Sequence, residues 1–238
     1  MGLEKLPYHC LGREYDMSHV VMDIETLGFP LESFDETQQK YLLKFAGTDA
    51  ERAETIQKFS LYPTTSQIIA IGMLNPETNR GKVLFQSDEK SDYYSDDEYV
   101  HFTSGSEKEI LEQFWKDIGH YEQFVTFNGR AFDCPFLMLR SAILQVQPTR
   151  NLMPYRYDAS VHCDLLEQFT FYGALRKFNL DFYCKSFGVE SPKIHGVTGL
   201  DMKQLTEEKR FREIAEYNLR DLQATAELYK RWEKFLNV

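Results

Sequence analysis

Three β-branched, apolar runs follow one another between residues 19 and 86, and that succession constrains the fold more than any other feature of the chain. His19-Val-Val-Met-Asp-Ile-Glu25 reads as a short strand that ends in acids, Ser66-Gln-Ile-Ile-Ala-Ile-Gly-Met-Leu74 as a buried strand, and Gly81-Lys-Val-Leu-Phe-Gln86 as a third. Turn-forming residues from Asn75 to Arg80 join the last two, so the spacing predicts an antiparallel meander. Helix and strand then alternate. Ser106-x-x-Glu109 caps a helix running to about Ile118, and Gln123-Phe-Val-Thr-Phe127 is a fourth strand. Asn128-Gly129 turns through Phe132-Asp133-Cys134-Pro135 into another helix, whose first turn tolerates the proline. Residues 160–188 read as helix in two pieces broken near Gly173, 188–199 as a loop, and Thr206-Glu-Glu as the start of a helical region reaching about Phe235. This order predicts an α/β fold, a mixed central sheet with flanking helices.

Two further segments are read from composition and spacing. Ser33-Phe-Asp-Glu36 fits a capping box, and Tyr41, Leu42, Phe45, Ile56, Phe59 and Leu61 recur at roughly helical intervals, predicting a helical insertion over 31–61 after the first strand. Residues 88–98 mix acids with tyrosines and serines and read as an exposed loop. The chain of 238 residues, 42% hydrophobic, suits a single domain spanning 1–238. No run approaches the roughly 20 apolar residues of a membrane span, and the N-terminus lacks the order of a secretory signal, so a cytoplasmic protein is expected. Cys10, Cys134, Cys163 and Cys184 show no paired spacing and are expected as reduced, mostly buried thiols. A formal charge of −10 argues against tight nonspecific binding to nucleic acid. The balance is uneven, however: Arg140, Arg150, Arg156, Arg176, Lys177, Lys185 and Lys193 outnumber the acids between 140 and 200.

The chemistry-bearing residues are acids. Asp23 and Glu25 stand two apart on a strand and so share a face. Burying two such carboxylates together is costly unless a cation compensates or one takes up a proton. Asp133 sits at the mouth of a helix, where it could also serve as a simple cap. Tyr217 and Asp221, four apart, share a helix face beside the apolar stripe Ile214, Leu222, Thr225, Leu228 and Trp232. Each piece alone is ambiguous. Together they offer four carboxylates from three segments, and that oxygen-rich set suits two Mg²⁺ or Mn²⁺ ions about 3.5 to 4 Å apart.

Val-Val-Met-Asp23-Ile-Glu25-Thr26, Phe127-Asn128-Gly-Arg-Ala-Phe132-Asp133-Cys-Pro135-Phe136 and Tyr217-Asn-Leu-Arg-Asp221 resemble, in order, the three motifs of the DEDD superfamily of 3′–5′ exonucleases. The Tyr-x-x-x-Asp spacing resembles its tyrosine-type branch, and the pattern as a whole resembles stand-alone exonucleases related to the proofreading domain of family B DNA polymerases. The resemblance spans about residues 17–232. It implies a ribonuclease H-like fold and hydrolysis of nucleic acid from a free 3′ end, DNA favoured over RNA, with a separate polymerase or repair protein as partner. It further implies two divalent cations held by Asp23, Glu25, Asp133 and Asp221, a water oriented by Tyr217, and substrate contacts from Thr26, Leu27, Asn128 and Phe132. Two other readings carry over from the residues: a catalytically silent nucleic-acid-binding module and a ribonuclease H-type endonuclease. In the segment His162-Cys163-Asp164-Leu165, His162 and Asp164 are read as structural, and Lys193 as a solvated lysine that could reach a phosphate.

Overall fold

The structure is a computed structural model that describes residues 18–195 and 199–238; Cys10 lies outside them. The run that begins at His19 does not stop at its acids. Thr26 and Leu27 carry the extended backbone on, so β1 spans His19–Gly28. It pairs antiparallel with β2 (Ser66–Leu74), which pairs antiparallel with β3 (Gly81–Phe85), giving the predicted meander. On its other side β1 runs parallel to β6 (Gln123–Thr126), but only over His19 to Val21. The two strands then part, and the gap between them is where the acids of β1 emerge.

Three predicted boundaries are corrected. The insertion is helical in pieces: a 3-10 turn (Leu31–Ser33), α1 (Glu36–Leu42), α2 (Asp49–Gln57) and a second 3-10 turn (Lys58–Leu61). Its capping box is built on Asp35 and Gln38, while the Ser33 hydroxyl turns back to the Pro30 carbonyl. Tyr41 and Phe45 stand 77% and 89% exposed, so their helical spacing marks a solvent face; Phe59 alone of that run is buried. The acidic loop over 88–98 contains β4 (Asp92–Tyr94), antiparallel to β5 (Val100–Ser104), a strand absent from the sequence reading. Composition hid the pair because one inward side chain anchors it: the Tyr93 ring stacks on Phe102 at 4.7 Å. Residues 160–188 are not helical throughout. His162–Asp164 form β7, parallel to β6, followed by α5 (Leu165–Phe169) and α6 (Leu180–Phe187).

The remaining helices are α3 (Glu107–Ile118), α4 (Asp133–Ile143), α7 (Met202–Glu207) and α8 (Phe211–Phe235). The sheet order is β4-β5-β3-β2-β1-β6-β7, mixed and covered on both faces. Alternation along β1 assigns the faces. Val20, Met22 and Ile24 pack with Ile110, Phe114 and Trp115 of α3 and Phe136 and Leu137 of α4. Val21 points to the other face, where α8 buries Ile214, Leu222, Leu228 and Trp232. Asp23 and Glu25 therefore face α8.

Two details hold β2 in place for that approach. The β1–β2 register shifts between Glu25 and Thr26, and beside the shift the Ile68 N–H donates to the buried carboxylate of Glu107, itself held by two charged hydrogen bonds from Arg140. Opposite Asp23 stands Gly72, where a Cβ would collide with the side chains of Asn218 and Leu222. Only glycine lets α8 lie this close to the sheet. Cys134, Cys163 and Cys184 are free, buried thiols, as expected. No helix among the described residues is long and apolar enough to cross a membrane.

Candidate metal centre

Asp23 and Glu25 reach the α8 face from β1, and Asp221 descends onto them from the middle of α8. One carboxylate oxygen of each lies within 4.8 Å of the other two. Asp133 joins from the side of the sheet gap. As the first residue of α4 it is buried, and its Oδ1 accepts the Ile24 N–H at 3.0 Å where β6 no longer pairs with β1. Tyr217, one turn before Asp221, is buried on the same helix face, with the guanidinium of Arg220 5.8 Å from its ring centre.

The electrostatics follow from crowding acids in a dry place. Burial, then the charges of Asp133, Asp221 and Glu25, push Asp23 well above the usual carboxylate range, against the opposing pull of Asn218. Glu25 is raised for the same reasons, burial first and then Asp221 and Asp133. Burial lifts Asp133 to about 7 in spite of its backbone hydrogen bonds. It also lifts Asp221 to about 7, partly opposed by Tyr217, Arg220 and Lys193. The Tyr217 hydroxyl is raised, chiefly by burial and then by Asp221, and stays protonated. Four carboxylates that resist ionisation together are stable as a set only if protons or cations supply the missing positive charge.

The residues fit a divalent cation. Asp221 Oδ1 and Asn218 Oδ1 are buried and have no hydrogen-bond partner among the described residues. A buried, unpartnered carboxylate oxygen on a residue clustered with two other carboxylates is what a hard cation's oxygen donor set requires.

Asn218 is the residue that motif reading passed over. Its Nδ2 donates to Asp23 Oδ2 at 2.9 Å, and it is fully buried. The signal was present: Asn218 lies three residues before Asp221 and so on the same helix face. Because it fixes the orientation of one ligand, Asn218→Ala is expected to weaken Mn²⁺ affinity about 10- to 100-fold with little loss of fold, measured by calorimetric titration of the metal-free protein. Unchanged affinity would show that Asp23 is oriented without it.

The other residues singled out from the sequence take different places. The Thr26 hydroxyl donates to the Ser60 carbonyl at 2.8 Å and ties the insertion to β1. Leu27 is half-buried on the α8 face and lines a cavity of about 260 Å³ with Ile69, Thr206 and Phe211. Asn128 takes φ 64°, and its N–H and that of Arg130 both donate to Asp164, which also caps α5. Asp164 therefore holds the turn that delivers Asp133. Phe132 leans on Phe136 at 5.3 Å and packs against the α3–α4 core. His162 is buried, stacked on Phe124 and bonded to the Thr126 hydroxyl, a structural position as read. Lys193 is exposed and close enough to act on Asp221.

A mixed sheet of this order, covered by helices and carrying acids on its interior strand β1, is a ribonuclease H-like α/β fold. Residues 64–237 match the family described as a predicted 3′-5′ exonuclease related to the exonuclease domain of PolB, and the chain belongs to that family. The match takes in Asp133, Tyr217 and Asp221; Asp23 and Glu25 precede it and are brought to them by the fold. The chain is 29% identical over 179 residues to the DNA polymerase 1 of Sulfurisphaera ohwakuensis, an alignment covering 68% of this chain and 19% of that one. It is 27% identical over 160 residues to the DNA polymerase 1 of Sulfolobus acidocaldarius, covering 61% and 17%. The chain thus spans less than a fifth of the length of the polymerases it matches.

Proposed function

We propose that the protein is a tyrosine-type, two-metal 3′–5′ exonuclease that releases nucleoside 5′-monophosphates from single-stranded nucleic acid, DNA in preference to RNA. The observation that carries this reading is the convergence of Asp23, Glu25 and Asp221 within 4.8 Å, with Asp133 and Tyr217 beside them. Family membership supports the direction of attack, and the naming of the relatives as DNA polymerases supports DNA. Asp23, Glu25 and Asp221 would hold one Mg²⁺ or Mn²⁺, and Asp23 with Asp133 the second. When bound, the cations supply the positive charge that makes a water nucleophilic at neutral pH and offsets charge on the leaving oxygen. The chain's own residues do the rest. Tyr217, kept protonated by burial, orients the water and does not act as its base. Asp133 is fixed by the Ile24 N–H on one oxygen, which leaves the other to serve a cation. Hydrolysis adds the water oxygen to phosphorus and breaks the P–O3′ bond. The released O3′ takes a proton and becomes the new 3′ end.

The test is a 5′-labelled 20-mer in Mg²⁺ or Mn²⁺, with Asp23→Ala as control and a matched oligonucleotide whose 3′ end is blocked. Stepwise shortening from the 3′ end, lost in the variant and on the blocked strand, is expected. Internal nicking of the blocked strand would replace this reading with an endonuclease. No cleavage with either metal on DNA or RNA would leave a binding module.

A further inference from the structure

We propose that the exposed aromatic and basic face formed by residues 155–182 holds the single-stranded stretch of polynucleotide upstream of the 3′ end, an inference that rests on the nuclease reading above. Tyr155, Tyr157 and Phe171 are 73%, 57% and 59% exposed, an unusual presentation for rings that could have been buried. They are not scattered. Tyr155 and Tyr157 meet edge to face at 5.6 Å, and Tyr157 meets Tyr172 in the same way at 4.7 Å. Phe171 and Tyr172 both take positive φ, 48° and 57°, a conformation that side-chain-bearing residues adopt only when the surroundings impose it. Here the Tyr172 N–H is bonded to the Glu167 carbonyl and the Leu175 N–H to the Thr170 carbonyl, so the strained turn is held and Phe171 is kept outward. Across the turn, Phe182 stacks on Phe178 at 4.2 Å and Arg176 lies over the Phe178 ring.

Charge selects the occupant. In a chain of net −10, this face carries Arg176 and Lys177, neither of which has a carboxylate partner among the described residues. Of the acids here, Glu167 is neutralised by Arg156 and Arg130 and Asp181 by Lys185, while Asp158, next to Tyr157, accepts hydrogen bonds from Ser160. Exposed rings interleaved with unpaired cations fit a strand that offers a π-face and a phosphate at every step. An aliphatic partner surface would leave those cations without function, so a protein partner is the outcome the test must exclude. The face is also tied to the acidic centre. The Arg130 side chain holds the Pro154 carbonyl at 2.8 Å, just before the tyrosines, while its backbone belongs to the turn that delivers Asp133. On the other side α6, which bears Phe182, packs on α8, which bears Asp221.

The experiment separates the face from the centre by substrate length. Three variants of exposed residues are compared with wild type: Tyr155→Ala with Tyr157→Ala, Phe171→Ala, and Lys177→Glu. The substrates are single-stranded dT20 and the p-nitrophenyl ester of thymidine 5′-monophosphate, which engages the centre alone. In Mn²⁺ the expected result is a KM for dT20 raised about 10-fold in the ring variants, with turnover of the ester unchanged. Lys177→Glu should weaken binding and flatten its salt dependence. Fluorescein-labelled dT20 is also titrated by anisotropy without divalent cation, and its Kd should rise by the same factor. That arm reads the face even if wild type turns over neither substrate, a result that would overturn the nuclease reading alone. Unchanged KM and Kd for dT20 in all three variants would overturn the proposal, as would equal losses on the ester.

Discussion

Asp221→Asn is expected to lower exonuclease turnover by about 10³-fold or more while making the metal-free protein more stable than wild type at pH 8. The two effects have one cause. Asp221 closes the three-carboxylate cluster on Asp23 and Glu25, and its Oδ1 has no hydrogen-bond partner within the described structure. Replacing the carboxylate by an amide keeps its shape, removes one ligand charge, and relieves the repulsion that helps hold Glu25 and Asp23 above the ordinary carboxylate range. Without cations the gain should be on the order of 2 kcal/mol at pH 8, read by denaturant titration. With saturating Mn²⁺ the order reverses, because wild type gains binding energy that the variant has lost. This crossing is what separates a ligand from a structural carboxylate. Were Asp221→Asn to destabilise the protein equally with and without Mn²⁺, or to keep near-normal turnover, the assignment of the centre would be wrong.

What could be read from the residues alone, and what could not, follows from the range of the forces involved. Capping and strand patterning act within a few residues, which is why Ser106 with Glu109 located α3 and the run through Ser66–Leu74 located β2. The meander was legible for the same reason. β4 and β7 were not, since each is three residues long and is fixed by a partner: Tyr93 by its stack on Phe102, and His162–Asp164 by the backbone of β6. The insertion shows the opposite error. Tyr41 and Phe45 fall at helical spacing but stand largely exposed, because periodicity reports a face and not what covers it. At the centre, Asp23, Glu25, Asp133, Tyr217 and Asp221 could be picked out by motif, since each offers a reactive group. Asn218 offers only an amide, and its use depends on Gly72 allowing α8 to approach β2. Asp164 was read as a structural tie, but its hold on the Asn128 turn could be seen only once the chain was folded.

The metal-free protein is also expected to lose stability as pH rises from about 5 to 7.5, against the usual behaviour of a carboxylate-rich protein. Asp133 and Asp221 titrate at about 7 in the folded chain, above their ordinary value of 3.8, chiefly because they are buried. A carboxyl raised in this way contributes stability that is complete below the unfolded value and is lost as pH passes through the folded one. Asp23 and Glu25 are shifted in the same direction and extend the loss upward. His162 works in the other direction. Burial depresses it to about 3, so its neutral ring contributes stability above the unfolded value of about 6.5 that is lost as pH falls below it. The two arms overlap below pH 6.5, where the raised carboxyls outweigh the single imidazole, so the maximum lies at or below about pH 5. From pH 5 the loss should be on the order of 3 kcal/mol by pH 7.5, or a fall in Tm of roughly 5 to 10 °C for a chain of this size. Mg²⁺ or Mn²⁺ should abolish the alkaline arm, since cations bind the ionised carboxylates and replace the protons. Calorimetric scans at pH 4, 5, 6, 7 and 8, each with chelator and with Mn²⁺, measure both arms at once. A metal-free Tm that is flat or rising between pH 5 and 7.5 would mean that these acids are not forced together in solution. The centre would then lack the electrostatic pressure that draws cations to it.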